Sequence, residues 1–278
     1  MNPQAQTARC LLAVIVAVTL ASAVAFAEGD DAERAPHAPI VIGADSGFTA
    51  ANGVVSGSGS EEDPYVISSY FIEMDDAAYG ISIQGTSRWF RITDCLVSGS
   101  RATGIRFLNV VNGMILNCIV RGVEFGIDID SSRDCEFVGN RLESCGSAVF
   151  LFNASFNIFS GNSLQDGTHG FILYEQSTYN KIYDNRVNSG SALLINAGCD
   201  NNHIYRNDFL RGRATSHAYN RWQSMADEGN FWSNYSGQDA DGDGFGDSIY
   251  LLLGAASREC DYRPAMAPYH QDEGDQEP

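Results

Sequence analysis

The chain has 278 residues and a formal net charge of −18, with 35 acidic against 17 basic side chains. Such a charge would repel nucleic-acid phosphates, so the composition excludes a nucleic-acid partner and favours cations or neutral glycans. Glycine is abundant, with 28 residues, and only 19% of residues are charged. This balance is typical of closely stacked strands and not of amphipathic helices.

Residues 1–27 are predicted to be a signal peptide. Arg9 is the only charge before an apolar run from Leu11 to Phe26, and a small-x-small pattern ends at Ala27. The run is short for a membrane span, acidic residues follow it at once, and no later segment is apolar enough to anchor the chain. We therefore expect a secreted, periplasmic or cell-surface protein, cleaved near Ala27 and without a transmembrane anchor.

The rest of the chain divides into four predicted segments. Residues 28–38 have the composition of an acidic linker, and residues 39–210 hold a small N-terminal cap followed by repeats. The repeat ends where aromatic residues cluster, which predicts a C-terminal cap over residues 211–264. Residues 265–278 end in an acidic stretch that is expected to be disordered.

A repeat of about 22 residues fills the centre of the chain. Similar tetrapeptides start 22 or 24 residues apart, at Gly80, Gly104, Gly126, Ala148, Gly170 and Ala192. A second series follows in step, at Cys95, Cys118, Asn140, Asn162, Asn185 and Asn207. Each unit holds short runs that alternate apolar and polar residues, and one unit cannot bury its inner face alone. The sequence therefore predicts an all-β protein built as a single-stranded right-handed parallel β-helix.

Stacking of the coils predicts how equivalent residues are used. One buried column should contain Ile81, Ile105, Ile127, Val149, Phe171 and Leu193. The turn asparagines should form two ladders of side-chain amides, one through Asn157, Asn180 and Asn202 and the other through Asn140, Asn162, Asn185 and Asn207. The six cysteines after the signal peptide could form disulfides, but a role as small buried residues is favoured.

Three further features lead to a family resemblance. The stretch Gly57–Ile67 precedes the coils, and Gly229–Tyr235 and Asp239–Asp247 follow them. In this order they resemble the NosD-like exported β-helix proteins, whose repeat is called the carbohydrate-binding and sugar-hydrolysis domain, over about residues 39–264. The resemblance implies the β-helix fold shared with pectin lyases. It also implies a copper role, since the founding member assists copper maturation of nitrous-oxide reductase in the periplasm.

The stretch Asp239–Asp247 predicts a calcium-binding loop. Alternating carboxylates with glycines between them can place oxygens around one hard cation. The candidate ligands are Asp239, Asp241, Asp243 and Asp247, the Phe245 carbonyl and Asp261 from the following segment. Ca²⁺ would fasten the C-terminal cap, and a solvated acidic turn is the alternative. Position 12 is Tyr250 and not glutamate, so the loop is not a complete EF-hand.

The outward positions of one strand series form a candidate binding face. They change from Arg106 through Asp128 and Asp130 to an aromatic group of Phe150, Phe152 and Tyr174. Arg106 and the three aromatic residues are the candidate ligand-binding residues, because aromatic rings stack on sugars. Asp128 and Asp130 are the catalytic candidates if the protein acts on polysaccharide. The alternative is that the segment Leu251–Leu253, or a partner, covers this face.

Three functions follow from these features. The favoured one is a non-catalytic module that binds polysaccharide or another cell-surface protein along the helix. The second is a polysaccharide-active enzyme that uses Asp128 and Asp130. The third is copper handling, as the NosD resemblance implies, although the histidines and methionines that copper prefers are scattered along the sequence.

Overall fold

The computed structural model describes residues 34–254 and 259–270. The predicted signal peptide, most of the linker and the end of the acidic tail lie outside the described residues. Among the described residues the helical segments are two short 3₁₀ helices, Asp45–Gly47 and Ala50–Asn52. None of the described helices has the length and apolarity needed to cross a membrane.

Three long sheets form the body of the molecule, and their strands follow one another around each coil. Sheet 1 contains Ala35–Pro36, Tyr70–Glu73, Leu96–Ser98, Ile119–Arg121, Arg141–Glu143, Ser163–Gln165, Arg186–Asn188, Asp208–Arg211 and Phe231–Trp232. Sheet 2 contains Val54–Ser56, Tyr65–Ser68, Phe90–Thr93, Gly113–Leu116, Glu136–Val138, Ile158–Ser160, Lys181–Tyr183 and His203–Tyr205. Sheet 3 contains Ile40–Ile42, Tyr79–Thr86, Thr103–Val110, Phe125–Asp130, Ser147–Phe152, His169–Tyr174, Ser191–Ile195 and Ala214–Ser216.

The pairing within these sheets confirms the predicted parallel β-helix. Neighbouring strands in each sheet come from successive coils and run parallel. The exception among the described long sheets is Val54–Ser56, which pairs antiparallel with Tyr65–Ser68 at the N-terminal end. At the other end, Tyr250–Leu251 and Cys260–Asp261 form a separate antiparallel pair.

The predicted inner column is present and buried. Equivalent residues pair in register from coil to coil, as in Ile105 with Ile127 and Val149 with Phe171. Each side chain in the column is at most 1% exposed, and the column runs through Ile81, Ile105, Ile127, Val149, Phe171 and Leu193. Burial of one such side chain contributes about 1.5–3 kcal/mol, so the stacked column is a main source of stability.

Both asparagine ladders form, and both extend beyond the predicted residues. In the first, the backbone N–H of each member donates to Oδ1 of the next coil's asparagine at 2.9–3.1 Å, from Cys118 through Asn140, Asn162, Asn185 and Asn207 to Asn230. The second runs from Cys135 through Asn157, Asn180 and Asn202 to Asn220. The last members donate to carboxylates, Asn230 to Asp261 and Asn220 to Glu259. The ladders satisfy backbone groups that the turns would otherwise leave buried and unpaired.

The cysteines are structural residues in the described part of the chain. All six are free and buried. Burial raises the pKa of Cys135 and of Cys145 to about 12, so both stay protonated at neutral pH. This agrees with the favoured expectation of small buried side chains.

Candidate functional site

The outward face of sheet 3 carries the predicted binding residues in two aligned rows. One row pairs Arg106 with Asp128 and Asp128 with Phe150 on successive coils. The other row passes through Asp130, Phe152 and Tyr174. The residues between these positions on each strand point inward and are buried. The β-helix therefore brings all six candidates onto one face.

Arg106 links the two candidate catalytic carboxylates. Its Nε lies 3.3 Å from Asp128 Oδ2, and its Nη2 lies 3.2 Å from Asp130 Oδ2. Its Nη1 donates to the Tyr79 hydroxyl at 2.6 Å. Burial raises the pKa of Asp128 to about 6, an effect that Arg106 opposes and the neighbouring Asp130 reinforces. Both carboxylates are thus occupied in holding one guanidinium, which is the arrangement of a structural ion-pair cluster.

The other half of this face is apolar and open. We call Phe150, Phe152, Ile172 and Tyr174 the aromatic stripe. Phe152 is 37% exposed and Tyr174 is 42% exposed. Their ring centroids lie 6.2 Å apart with the planes inclined by 17°. Two neighbouring exposed rings on a rigid sheet form a surface that a ligand or partner can contact without rearrangement of the fold.

The C-terminal segment does not cover the stripe. Leu253 accepts a hydrogen bond from the Ser216 N–H at 2.9 Å and donates its own N–H to Ala214 at 3.2 Å. It therefore lies beside the last strand of sheet 3, at the end of the solenoid and not over its lateral face. The alternative in which the segment Leu251–Leu253 buries the stripe is wrong for the described residues.

The acidic loop brings three of its carboxylates together. Oxygens of Asp239, Asp241 and Asp243 all lie within 4.8 Å of one another. Backbone N–H groups of Gly244 and Gly242 donate to Asp239 at 2.9 and 2.8 Å and lower its pKa. Arg263 approaches from outside, with its Nη2 2.7 Å from Asp243 Oδ2. Three clustered carboxylates with a neighbouring guanidinium form an acidic turn that is largely satisfied by its own backbone.

The other predicted metal ligands make contacts of their own. Asp247 accepts the Ala240 N–H at 2.7 Å and lies outside the cluster of three. The ring of Phe245 lies 4.7 Å beneath the Arg263 guanidinium carbon. Asp261 is fully buried and is not a member of the cluster of three, so its role as a calcium ligand stays a prediction. Its side chain accepts hydrogen bonds from Asn230, Trp232 and Arg263 and ends the first asparagine ladder.

Among the described residues, no group of three or more His and Cys side chains comes together. They do bring together one group of three carboxylates, the aspartate cluster, whose oxygens lie within 4.8 Å of one another. Carboxylate oxygens suit hard cations, whereas copper prefers thiolate, thioether and imidazole ligands. His203, for example, uses its Nε2 on the Gln223 carbonyl. The clustered donor group of the described residues is therefore carboxylate, which does not match the ligands that copper prefers.

A concavity of about 540 Å³ lies at the C-terminal end of sheet 2 and was not predicted from the sequence. It is lined by Tyr179, Tyr219 and Tyr262, with His203 and Glu259 among its polar groups. A sequence signal was present, because Phe156, Tyr179 and Tyr219 each precede an asparagine of the second ladder. Aromatic residues in an exposed turn position are the kind of signal that marks a binding surface.

Comparisons with known proteins agree with the resemblance. The family model described as "Periplasmic copper-binding protein (NosD)" matches residues 46–192. A protein of Pseudomonas aeruginosa called "Probable ABC transporter binding protein NosD" is 27% identical over 180 residues, which cover 64% of this chain and 29% of that protein. A protein of Stutzerimonas stutzeri with the same name is 29% identical over 138 residues, 43% of this chain and 32% of that protein. The matches thus span about a third of the length of these curated relatives.

Proposed function

The chain belongs to the NosD family of periplasmic copper-binding proteins, and from this we propose that it is a periplasmic adaptor that docks a protein partner in copper handling. The docking surface is the aromatic stripe of sheet 3. The observation that carries the proposal is that Phe152 and Tyr174 stay exposed on a rigid sheet, next to an ion-pair cluster. Both curated relatives are called transporter binding proteins, so a transporter subunit is the partner that we propose.

The stripe has the composition of a protein-binding surface. Aromatic residues and arginine are enriched at the centres of protein interfaces, where they provide most of the binding energy. Here the aromatic centre is bordered on one side by Arg106, Asp128 and Asp130, which give a polar rim. A partner with an apolar patch beside charged residues would complement both parts.

Copper enters this proposal as cargo of the assembly and not as a ligand of the described residues. Their donor groups do not form the soft cluster that copper prefers. We therefore assign docking to this chain and leave copper coordination to its partner.

Photo-crosslinking in the periplasm of the native host tests the docking surface. Benzoylphenylalanine would replace Phe152 in the full chain, and mass spectrometry would identify the crosslinked protein. We expect a transporter subunit, with no such product when the probe replaces Arg91, an exposed outward residue of sheet 2. Equal crosslinking from both positions, or none from Phe152, would contradict the proposal.

A carbohydrate on the same stripe is the second candidate function. The nearly parallel rings of Phe152 and Tyr174 could stack on consecutive sugars. Titration of the chain with soluble oligosaccharides distinguishes the two candidates. Oligosaccharide affinity that is lost in the double variant Phe152→Ala/Tyr174→Ala would favour the carbohydrate, whereas a protein crosslink without such affinity favours the partner.

A further inference from the structure

A column of exposed turn residues runs along the edge of sheet 2. It contains the residue before each asparagine of the second ladder, which is Phe156, Tyr179, Asn201 and Tyr219 on successive coils. The Phe156 and Tyr179 rings stack with centroids 5.1 Å apart and planes 4° apart. The Asn201 N–H donates to the Tyr219 carbonyl at 2.7 Å, which places these two residues on adjacent coils.

The aromatic residues of this column occupy a backbone conformation that disfavours them. Phe156 and Tyr179 have φ values of 59° and 58°, in the left-handed region where bulky residues are rare. The same turn position holds Asp134 and Asn201, at 54° and 61°, which are residue types that tolerate this region. Phe156 and Tyr179 are 53% and 51% exposed, so burial in the core does not account for rings at these positions.

Asn201 interrupts the aromatic column and leaves a gap. Because successive coils are roughly 4.8 Å apart, the positions of Tyr179 and Tyr219 are separated by about 10 Å. A ring in van der Waals contact with both faces needs about 7–8 Å between them, and a puckered ring somewhat more. The 540 Å³ concavity lies at this gap, and Tyr262 also lines it. We call this concavity the tyrosine groove.

The floor of the tyrosine groove is polar. The Trp222 indole faces the Glu259 carboxylate, and both residues are buried, at 2% and 8% exposed. Asn220 Nδ2 is buried beside them without a hydrogen-bond partner among the described residues. A ligand hydroxyl that reaches the Asn220 amide would satisfy it, which a purely apolar ligand could not.

The charged groups of the groove favour a neutral ligand. Arg221 already donates from Nε and Nη2 to the carbonyls of Gln223 and Ser224, at 3.0 Å each. Its guanidinium is therefore held against backbone and is not directed to an anion. The chain as a whole is strongly acidic, which also disfavours anionic ligands.

We propose that the tyrosine groove binds a pyranose ring of a neutral glycan, held between Tyr179 and Tyr219 above Asn201. The two phenol rings supply apolar faces that match the C–H faces of a sugar, and the floor supplies hydrogen-bonding groups. Tyr219 and Tyr262 are 70% and 60% exposed, so the walls are accessible from solvent. The site is separate from the aromatic stripe and does not depend on the proposed docking function.

Calorimetric titration of the full exported chain with maltohexaose, cellohexaose and chitohexaose tests this site. We expect at least one of these probes to bind. Tyr219→Ala removes one wall and Asn201→Tyr fills the gap, and each should weaken binding at least tenfold with an unchanged thermal melt. Phe156→Ala, in the same column but outside the gap, should change the affinity less than threefold.

Three results would overturn the site. One is the absence of binding for all three oligosaccharides. Another is unchanged affinity in Tyr219→Ala, which removes only an exposed ring and therefore keeps the test valid if Asn201→Tyr does not fold. The third is selective binding of a planar aromatic probe, indole, with no oligosaccharide binding.

Discussion

The backbone N–H of Asn230 donates to Oδ2 of Asp261 at 2.7 Å, and this bond ends a ladder that crosses six coils. The same oxygen accepts the Trp232 Nε1–H at 2.9 Å and the Asn230 amide at 3.2 Å. Burial raises the pKa of Asp261, and these donors oppose that shift by stabilising the carboxylate. A carboxylate is the suitable last member, because it accepts hydrogen bonds on both oxygens and needs no further acceptor.

Asp261→Asn should therefore destabilise the protein although it barely changes the shape of the side chain. The amide oxygen can replace Oδ2, but the amide nitrogen would then face the Arg263 N–H that now donates to Oδ1 at 3.1 Å. We expect a loss of about 1–3 kcal/mol in the free energy of unfolding, measured with urea. Asp166→Asn, at an exposed turn, is the matched control and should change stability by less than about 0.5 kcal/mol. Equal stability of both variants would contradict the role of Asp261 as a ladder terminus.

The raised pKa of Asp128 predicts that the stability of the protein depends on pH. Its pKa of about 6 in the folded protein lies above the ordinary value of 3.8, chiefly through burial. A raised carboxyl pKa means that the folded state binds the proton more tightly than the unfolded state. Asp128 therefore adds to the free energy of unfolding below about pH 4, and this stabilisation is lost as the pH rises through 6. Asp128→Asn should remove a decline of up to about 3 kcal/mol between pH 4 and pH 7. Urea unfolding at each pH measures it, and superimposable pH profiles for the two proteins would refute the assignment.

The two sides of sheet 3 should respond differently to the loss of a ring. Phe171→Ala removes a buried member of the inner column and should cost about 3–5 kcal/mol. Tyr174→Ala, three residues later on the outer side, should cost less than about 1 kcal/mol, because its ring is 42% exposed and is not part of the inner column. Thermal and urea unfolding compare the two variants. A large loss for Tyr174→Ala would show that the stripe is covered by the protein itself.

Calcium binding by the acidic loop stays a prediction with a direct test. If Ca²⁺ binds the clustered carboxylates, chelation should lower the melting temperature and added calcium should restore it, since a ligand of the folded state stabilises it. The double variant Asp241→Ala/Asp243→Ala should lose the response, whereas Asp166→Asn should keep it. Identical melts with and without chelator in the unaltered protein would remove calcium from consideration.

The repeating part of the structure was predictable because each coil constrains the next. The spacing from Ile105 to Ile127 to Val149 follows directly from stacking, and so does the spacing from Asn140 to Asn162. A one-residue change of register would move a whole inner row to the outside, so the sequence must keep the period.

The ends of the molecule were less predictable because they do not repeat. Tyr219 lies below Asn201 after 18 residues and not 22, so its place in the aromatic column could not be read from the period. Charge alone groups Asp261 with the acidic loop. Its position depends on the antiparallel pairing of Tyr250–Leu251 with Cys260–Asp261, which has no counterpart in the coils.

The direction of the ladders has a consequence for export. In both ladders the backbone donor lies on one coil and its acceptor on the following coil, nearer the C-terminus. A chain that crosses the membrane N-terminus first would present each new coil with open donors until the next coil arrived. The last acceptors, Glu259 and Asp261, emerge after the coils of both ladders. Both ladders are therefore completed only when this segment has crossed the membrane, and a product that ends before it would keep backbone donors without acceptors.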